Sequence, residues 1–81
     1  MSLKYIIAPN MGESITEATV ISIRFKAGDS FSVHDTILEL ETEKTNFEVS
    51  ADSAGILKKL LVKEGDIIEP GLILGEYEEY S

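Results

Sequence analysis

The chain has no cysteine, which excludes disulfide bridges and thiolate metal sites as ways of holding it together. It has one histidine, His34. His34 sits beside Asp35 in a turn-like stretch, without the partners that metal ligation or a nucleophilic triad needs, and it reads as a surface residue. No apolar run approaches the roughly 20 residues of a membrane-spanning helix. The opening MSLKYIIAPN reaches proline and asparagine after a short apolar run, which is unlike a signal peptide. Basic residues are scarce: seven against fifteen acidic ones give a formal charge of −8. Phosphate backbones and anionic membrane surfaces repel such a chain, so neither nucleic acid nor membrane is expected as a partner. What remains is one acidic domain, residues 1–81, near the lower size limit for unaided folding. The hydrophobic fraction of 43% supplies a small core, and the missing cysteine suits a reducing, intracellular compartment.

No window carries a clean helical apolar period. Short β-branched and apolar runs recur between turn residues, which is an all-β pattern. Strands are expected at LKYIIA (3–8), ATVISIRF (18–25), DTILELET (35–42), TNFEVS (45–50), GILKKLLV (55–62) and LILGEY (72–77), with short pieces near SFSV and DII. The SITE segment, Ser14 to Glu17, matches a helix capping box, but the ATVISI that follows favours strand, so no helix is expected there. The chain also repeats itself. VISIRFKAGD (20–29) aligns with LKKLLVKEGD (57–66) at an offset of 37, matching Lys26 to Lys63, Gly28 to Gly65 and Asp29 to Asp66. TILEL and LILGEY continue the alignment with one residue deleted. Two similar halves imply quasi-two-fold symmetry, each giving strands to both sheets of a small flattened barrel. Gly28-Asp29 and Gly65-Asp66 read as structural turns, since one glycine without a following helix makes no phosphate loop.

The stretch ELETEKTNFEV (39–49) carries the main functional signal. With Glu43 and Lys44 as central turn residues, Glu41 pairs with Asn46, Leu40 with Phe47, Glu39 with Glu48 and Leu38 with Val49. Leu38, Leu40, Phe47 and Val49 then share one face, and Glu39, Glu41, Asn46 and Glu48 share the other. A slip of one residue would bury the acids, so the register is strongly set. Tight hairpins favour Asn-Gly or Asp-Gly, and Glu39 opposite Glu48 carries a modest repulsive cost. Such a conflict between local preference and fold tends to mark a functional site. A solvated tip lysine lacks the burial or cationic neighbour that a catalytic amine requires, but it is a well-presented acceptor for an acyl group. The plainer reading is a solubilising lysine. The acidic pairs Glu41/Glu43 and Glu78/Glu79 read as solvated faces rather than as general acid and base.

These residues resemble the attachment hairpin of lipoyl domains, where E-T-D-K precedes a strand. The likeness covers essentially the whole chain, and MGESITEATV (11–20) is similar to the first loop and second strand in acyltransferase components of 2-oxo acid dehydrogenase complexes, the 2-oxoglutarate branch above all. The resemblance implies an all-β, flattened barrel of two short antiparallel sheets, with lipoate in amide linkage on Lys44 at a hairpin tip. It also implies recognition by the lipoylating enzyme through Glu41 (three before the lysine), Glu43 (usually aspartate) and Gly55 (eleven after). The loop from Asn10 to Thr16, in particular Asn10, Met11, Gly12, Glu13 and Ser14, is implied to contribute to dehydrogenase choice. For Met11 with Gly12, a binding contact and plain loop packing both stay open. Implied partners are a thiamine-dependent 2-oxo acid dehydrogenase, the acyltransferase core, dihydrolipoamide dehydrogenase, and a lipoate-protein ligase or lipoyl/octanoyl transferase. The domain itself is expected to be a carrier without catalytic residues or metal. Its compartment would be the bacterial cytoplasm, or the mitochondrial matrix in a eukaryote.

Thr45 departs from the alanine or valine common after the modified lysine. The related biotin carriers usually flank their lysine with methionine, whereas Glu43 and Thr45 stand here and the methionines are Met1 and Met11. The lipoylated glycine-cleavage carrier needs helical segments for which there is no room. An unmodified structural or adaptor barrel remains the alternative from a different class. Either an excised domain or a stand-alone carrier fits a chain that lacks the catalytic domain, partner-binding segment and Ala/Pro-rich linker of a full acyltransferase.

Overall fold

The period-two runs all become strands in the computed structural model, which describes residues 2–80; Met1 and Ser81, the ends of the expected domain, lie outside them. In chain order the strands are β1 (Ser2–Ile7), β2 (Ala18–Ile23), β3 (Ser30–Phe31), β4 (Thr36–Glu41), β5 (Asn46–Ser50), β6 (Gly55–Leu60), β7 (Ile67–Ile68) and β8 (Ile73–Glu79). The described residues contain no helix. Ser14 lies in a turn and Ala18 opens β2, so the capping-box pattern is incidental.

Two four-stranded antiparallel sheets form, with strand orders β1-β8-β6-β3 and β5-β4-β2-β7. An offset of 37 carries β2, β3 and β4 onto β6, β7 and β8, and the two orders then coincide with β5 in the place of β1. Each half therefore completes the other's sheet, and neither can bury its apolar face alone. The overall extents are 37 × 21 × 17 Å, so the body is longest along one axis and slim across the other two.

The repeat extends to individual hydrogen bonds. The Asp29 carboxylate accepts from the Lys26 amide at 3.0 Å, and Asp66 accepts from the Lys63 amide at 3.0 Å. The Gly28 amide donates to the Leu57 carbonyl, and the Gly65 amide to that of Val20, both at 2.8 Å. Both glycines hold positive φ, 97° and 96°, where a Cβ is strained. The alignment needs no deletion, contrary to the sequence reading. Val20 pairs with Leu40 as Leu57 pairs with Tyr77, and Arg24 donates to Ile37 as Leu61 donates to Leu74, all at the constant offset. His34 consequently falls on Gly71, and both adopt positive φ, 73° and 89°. His34 is exposed, as expected of a turn residue.

The core lies between the sheets. Val20, Ile37, Leu38, Leu40, Leu57 and Leu74 are fully buried, and Phe31 stacks edge-on to Tyr77 with ring centroids 5.1 Å apart. No polar or charged residue is buried among the described residues. With so small a core, each of these side chains is a large share of the stability: truncating one to alanine costs about 2–5 kcal/mol.

Candidate functional site

Strands β4 and β5 pair in the register that alternation demands: Leu38 with Val49, Glu39 with Glu48, Leu40 with Phe47 and Glu41 with Asn46. Leu38, Leu40 and Val49 are buried and Phe47 packs against the core, while Glu41, Asn46 and Glu48 are exposed. The Glu39–Glu48 repulsion is relieved sideways. Glu39 Oε1 pairs with the Arg24 guanidinium at 3.1 Å, and Glu48 accepts from the Thr36 hydroxyl at 3.4 Å.

Beyond this ladder the chain reverses over Glu43 and Lys44 without positive φ at either residue, so the turn is not of the primed type that Asn-Gly would give. Thr42 makes the reversal possible. Its amide and its hydroxyl both donate to the Thr45 carbonyl, at 2.9 and 2.7 Å. The same hydroxyl oxygen accepts from the amides of Lys44 at 3.2 Å and Thr45 at 3.1 Å. A side chain thus satisfies backbone groups that a glycine turn would have paired differently. Lys44 is left exposed at the apex.

The loop after β1 lies against this apex, with the Lys44 ammonium donating to the Ser14 hydroxyl at 2.9 Å. Ser14 is held by its neighbours. The Asn10 side chain accepts from the Gly12 amide at 2.9 Å, the Gly12 carbonyl accepts from the Ile15 amide at 3.1 Å, and Gly12 holds φ of 116°. Met11 and Ile15 are 5% and 7% exposed, so two apolar pegs flank the exposed Gly12–Glu13–Ser14 segment. Of the two readings open for Met11, the burial supports loop packing. Its side chain is packed into the core and offers almost no surface to a partner.

The structure does not bring every candidate residue together. Asn10, Gly12, Glu13, Ser14, Glu41 and Glu43 are all exposed, and Ser14, Glu41 and Glu43 gather at or beside the Lys44 turn. Gly55 does not join them. It opens β6 in the other sheet, opposite Glu79, and is buried; a Cβ there would collide with the Glu78 carbonyl and come within 2.9 Å of the Tyr77 ring. Beside the turn runs an open groove of about 480 Å³, lined by Glu17, Glu41 and Glu43 together with the apolar Ile15, Ala18 and Ile67. No ion pair among the described residues engages Lys44, and no three acidic, histidine or cysteine side chains converge to hold a metal there. The arrangement offers an exposed primary amine, hydrogen-bonded to a neutral hydroxyl, on a turn held by the Thr42 side chain, the form required of an acyl acceptor.

Residues 4–76 match the Biotin_lipoyl family, described as "Biotin-requiring enzyme". The chain belongs to the biotin–lipoyl family. This biotin–lipoyl domain is similar in fold to the solution structure of the lipoyl domain of the 2-oxoglutarate dehydrogenase complex from Azotobacter vinelandii. The TM-score is 0.78 at 32% identity, over 95% of this chain and 98% of that one. It also matches the fold of part of a single-chain, multi-domain long-chain acyl-CoA carboxylase, with TM-score 0.82 at 18% identity over 98% of this chain and 7% of that one. Among sequence relatives is the dihydrolipoyllysine-residue succinyltransferase component of the 2-oxoglutarate dehydrogenase complex of Staphylococcus saprophyticus, 46% identical over 73 residues, which are 90% of this chain and 17% of the relative. The component of the same name from Rickettsia conorii is 43% identical over 74 residues, 91% of this chain and 19% of the relative. The chain thus spans about a fifth of the length of these relatives.

Proposed function

We propose that residues 1–81 form one lipoyl carrier domain, with lipoate in amide linkage on Lys44, serving a bacterial cytoplasmic 2-oxoglutarate dehydrogenase complex. The observation that carries this reading is the exposed Lys44 amine, without an ion-pair partner among the described residues, at a register-locked hairpin tip of a biotin–lipoyl domain. Lipoate is favoured over biotin by the sequence likeness to a lipoyl domain and by Glu43 and Thr45 in place of flanking methionines.

When bound, the dithiolane of lipoate supplies acyl carriage and two-electron redox chemistry. The chain's own part is presentation. Leu38, Leu40 and Val49 anchor the hairpin, Thr42 holds the turn, and Lys44 places the attachment point in solvent at the apex. Tethering raises the carrier's effective concentration at each active site of the assembly. The partners are a thiamine-dependent 2-oxoglutarate dehydrogenase, the acyltransferase core and dihydrolipoamide dehydrogenase, with a lipoate-protein ligase or lipoyl/octanoyl transferase for loading. In this proposal the loading enzyme reads Glu41 and Glu43, and Gly55 acts through the sheet packing that it permits. The dehydrogenase reads Asn10, Gly12, Glu13 and Ser14.

The lipoylated domain, offered separately to the 2-oxoglutarate, pyruvate and branched-chain dehydrogenases with their own 2-oxo acids, tests the branch by mass. Succinylation well ahead of the other two acylations is expected. Faster acylation by either other enzyme would overturn the assignment to 2-oxoglutarate.

A further inference from the structure

The hydrogen bond between Lys44 and Ser14 joins two segments 30 residues apart, and the amine makes it to a hydroxyl although Glu41 and Glu43 lie in its own hairpin. We infer that Ser14 is a positioning residue for the root of the lipoyl arm, its hydroxyl accepting from Nζ both before and after the arm is attached. The inference rests on the lipoyl reading for its second half only.

The chemistry of attachment allows one acceptor to serve both states. The free ammonium carries three N–H bonds. Amide formation with lipoate activated by ATP as its adenylate breaks the acyl C–O bond and releases AMP; one N–C bond replaces two of the N–H bonds with loss of two protons, so a single N–H donor survives and can still point at Ser14. A carboxylate would serve differently, since most of its attraction to the ammonium would vanish with the charge, whereas a neutral hydroxyl accepts from either form. The acceptor is also pre-placed. The buried Met11 and Ile15 pin the loop on both sides, and the Asn10–Gly12 and Gly12–Ile15 bonds fix the backbone between them. The first rotatable bonds of the arm are thereby restrained while the distal part stays free. The restraint also links the arm's root to the loop whose exposed residues are proposed to meet the dehydrogenase.

The test is NMR on a domain labelled with nitrogen-15 at lysine Nζ, comparing wild type with Ser14→Ala and Ser14→Thr. In the unmodified domain, at low temperature and mildly acidic pH, the Lys44 ammonium protons are expected to exchange about two- to fivefold more slowly in wild type than in Ser14→Ala. After loading with lipoate-protein ligase, lipoate and ATP, the Lys44 side-chain amide proton should show the same ordering. Ser14→Thr keeps the hydroxyl and should restore slow exchange in both states. Backbone shifts of β4 and β5 that match wild type in Ser14→Ala would separate loss of the tether from loss of the fold. Equal exchange in wild type and Ser14→Ala overturns the inference in whichever state it is seen, while successful loading leaves the carrier reading standing. If loading fails, the carrier reading falls, and the unmodified state still decides whether Ser14 holds the amine.

Discussion

The turns at Lys26–Asp29 and Lys63–Asp66 reverse the chain with a glycine at positive φ and an aspartate that caps the amide three residues back. The turn at Thr42–Thr45 reverses it with no glycine at all, through a threonine hydroxyl that serves two amides and one carbonyl. The first two are backbone copies of each other across the quasi-two-fold axis, with Ala27 at the centre of one and, in the other, Glu64, whose carboxylate accepts from the Ile23 amide at 3.2 Å. The third has no such copy among the described residues, and it holds a lysine where glycine would be easier. Where only reversal is needed, the chain uses the cheapest backbone; where a side chain must be presented, the neighbouring residue takes over the work of the glycine.

The largest effect is expected away from all three turns. Gly55→Ala drives a Cβ into the Glu78 carbonyl and Tyr77 ring, and should cost about 1–3 kcal/mol or more in urea unfolding. If Gly55 matters to loading only through packing, a folded Gly55→Ala domain at low temperature is modified nearly as fast as wild type.

Next come Gly28→Ala and Gly65→Ala, each expected to cost about 1–2 kcal/mol because alanine at positive φ is strained. Their urea midpoints should shift by similar amounts, and loading of Lys44 should be unchanged. Unequal shifts would break the equivalence of the two turns.

Thr42→Val keeps the shape and removes the hydroxyl, with a loss of about 0.5–1.5 kcal/mol expected. Although this is milder than the glycine variants, it should slow loading, which they should not. That crossover in an initial-rate assay separates presentation from stability.

The smallest effect has the opposite sign. Replacing Glu43 and Lys44 by Asn and Gly suits a primed hairpin turn and should stabilise the domain by about 0.5 kcal/mol. A loss of stability would mean that Glu-Lys is not a compromise at this turn.

Most of the fold was legible because its signals are local or periodic. Alternation placed Leu38, Leu40 and Val49 inward and so fixed the β4–β5 register, and the offset of 37 foretold both sheets. Four expected strands run one or two residues past their ends, since apolar residues such as Phe25 and Val62 still pack on the core after their ladders stop, while the last stops two short of Glu79. The deletion assumed in the second half came from matching letters rather than hydrogen bonds. At the constant offset His34 faces Gly71, and that glycine was the available signal for positive φ at His34. The lysine was visible from its turn, and a part for the Asn10–Thr16 loop in dehydrogenase choice came with the family resemblance. The Thr42 hydroxyl network was not visible, and the sequence does not decide between packing and contact for Met11. Both depend on where a side chain points in three dimensions, and neither leaves a period or spacing in the chain.

The measurement that bears most directly on the central claim is intact and peptide mass after incubation with lipoate-protein ligase, lipoate and ATP, beside a parallel reaction with biotin ligase and biotin. The account predicts one lipoyl adduct, located on Lys44, absent from Lys44→Arg, and no biotin adduct. A folded domain that takes no lipoyl group would contradict it: a biotin adduct would make Lys44 a biotin site, and no adduct from either enzyme would leave the hairpin as part of an unmodified structural barrel.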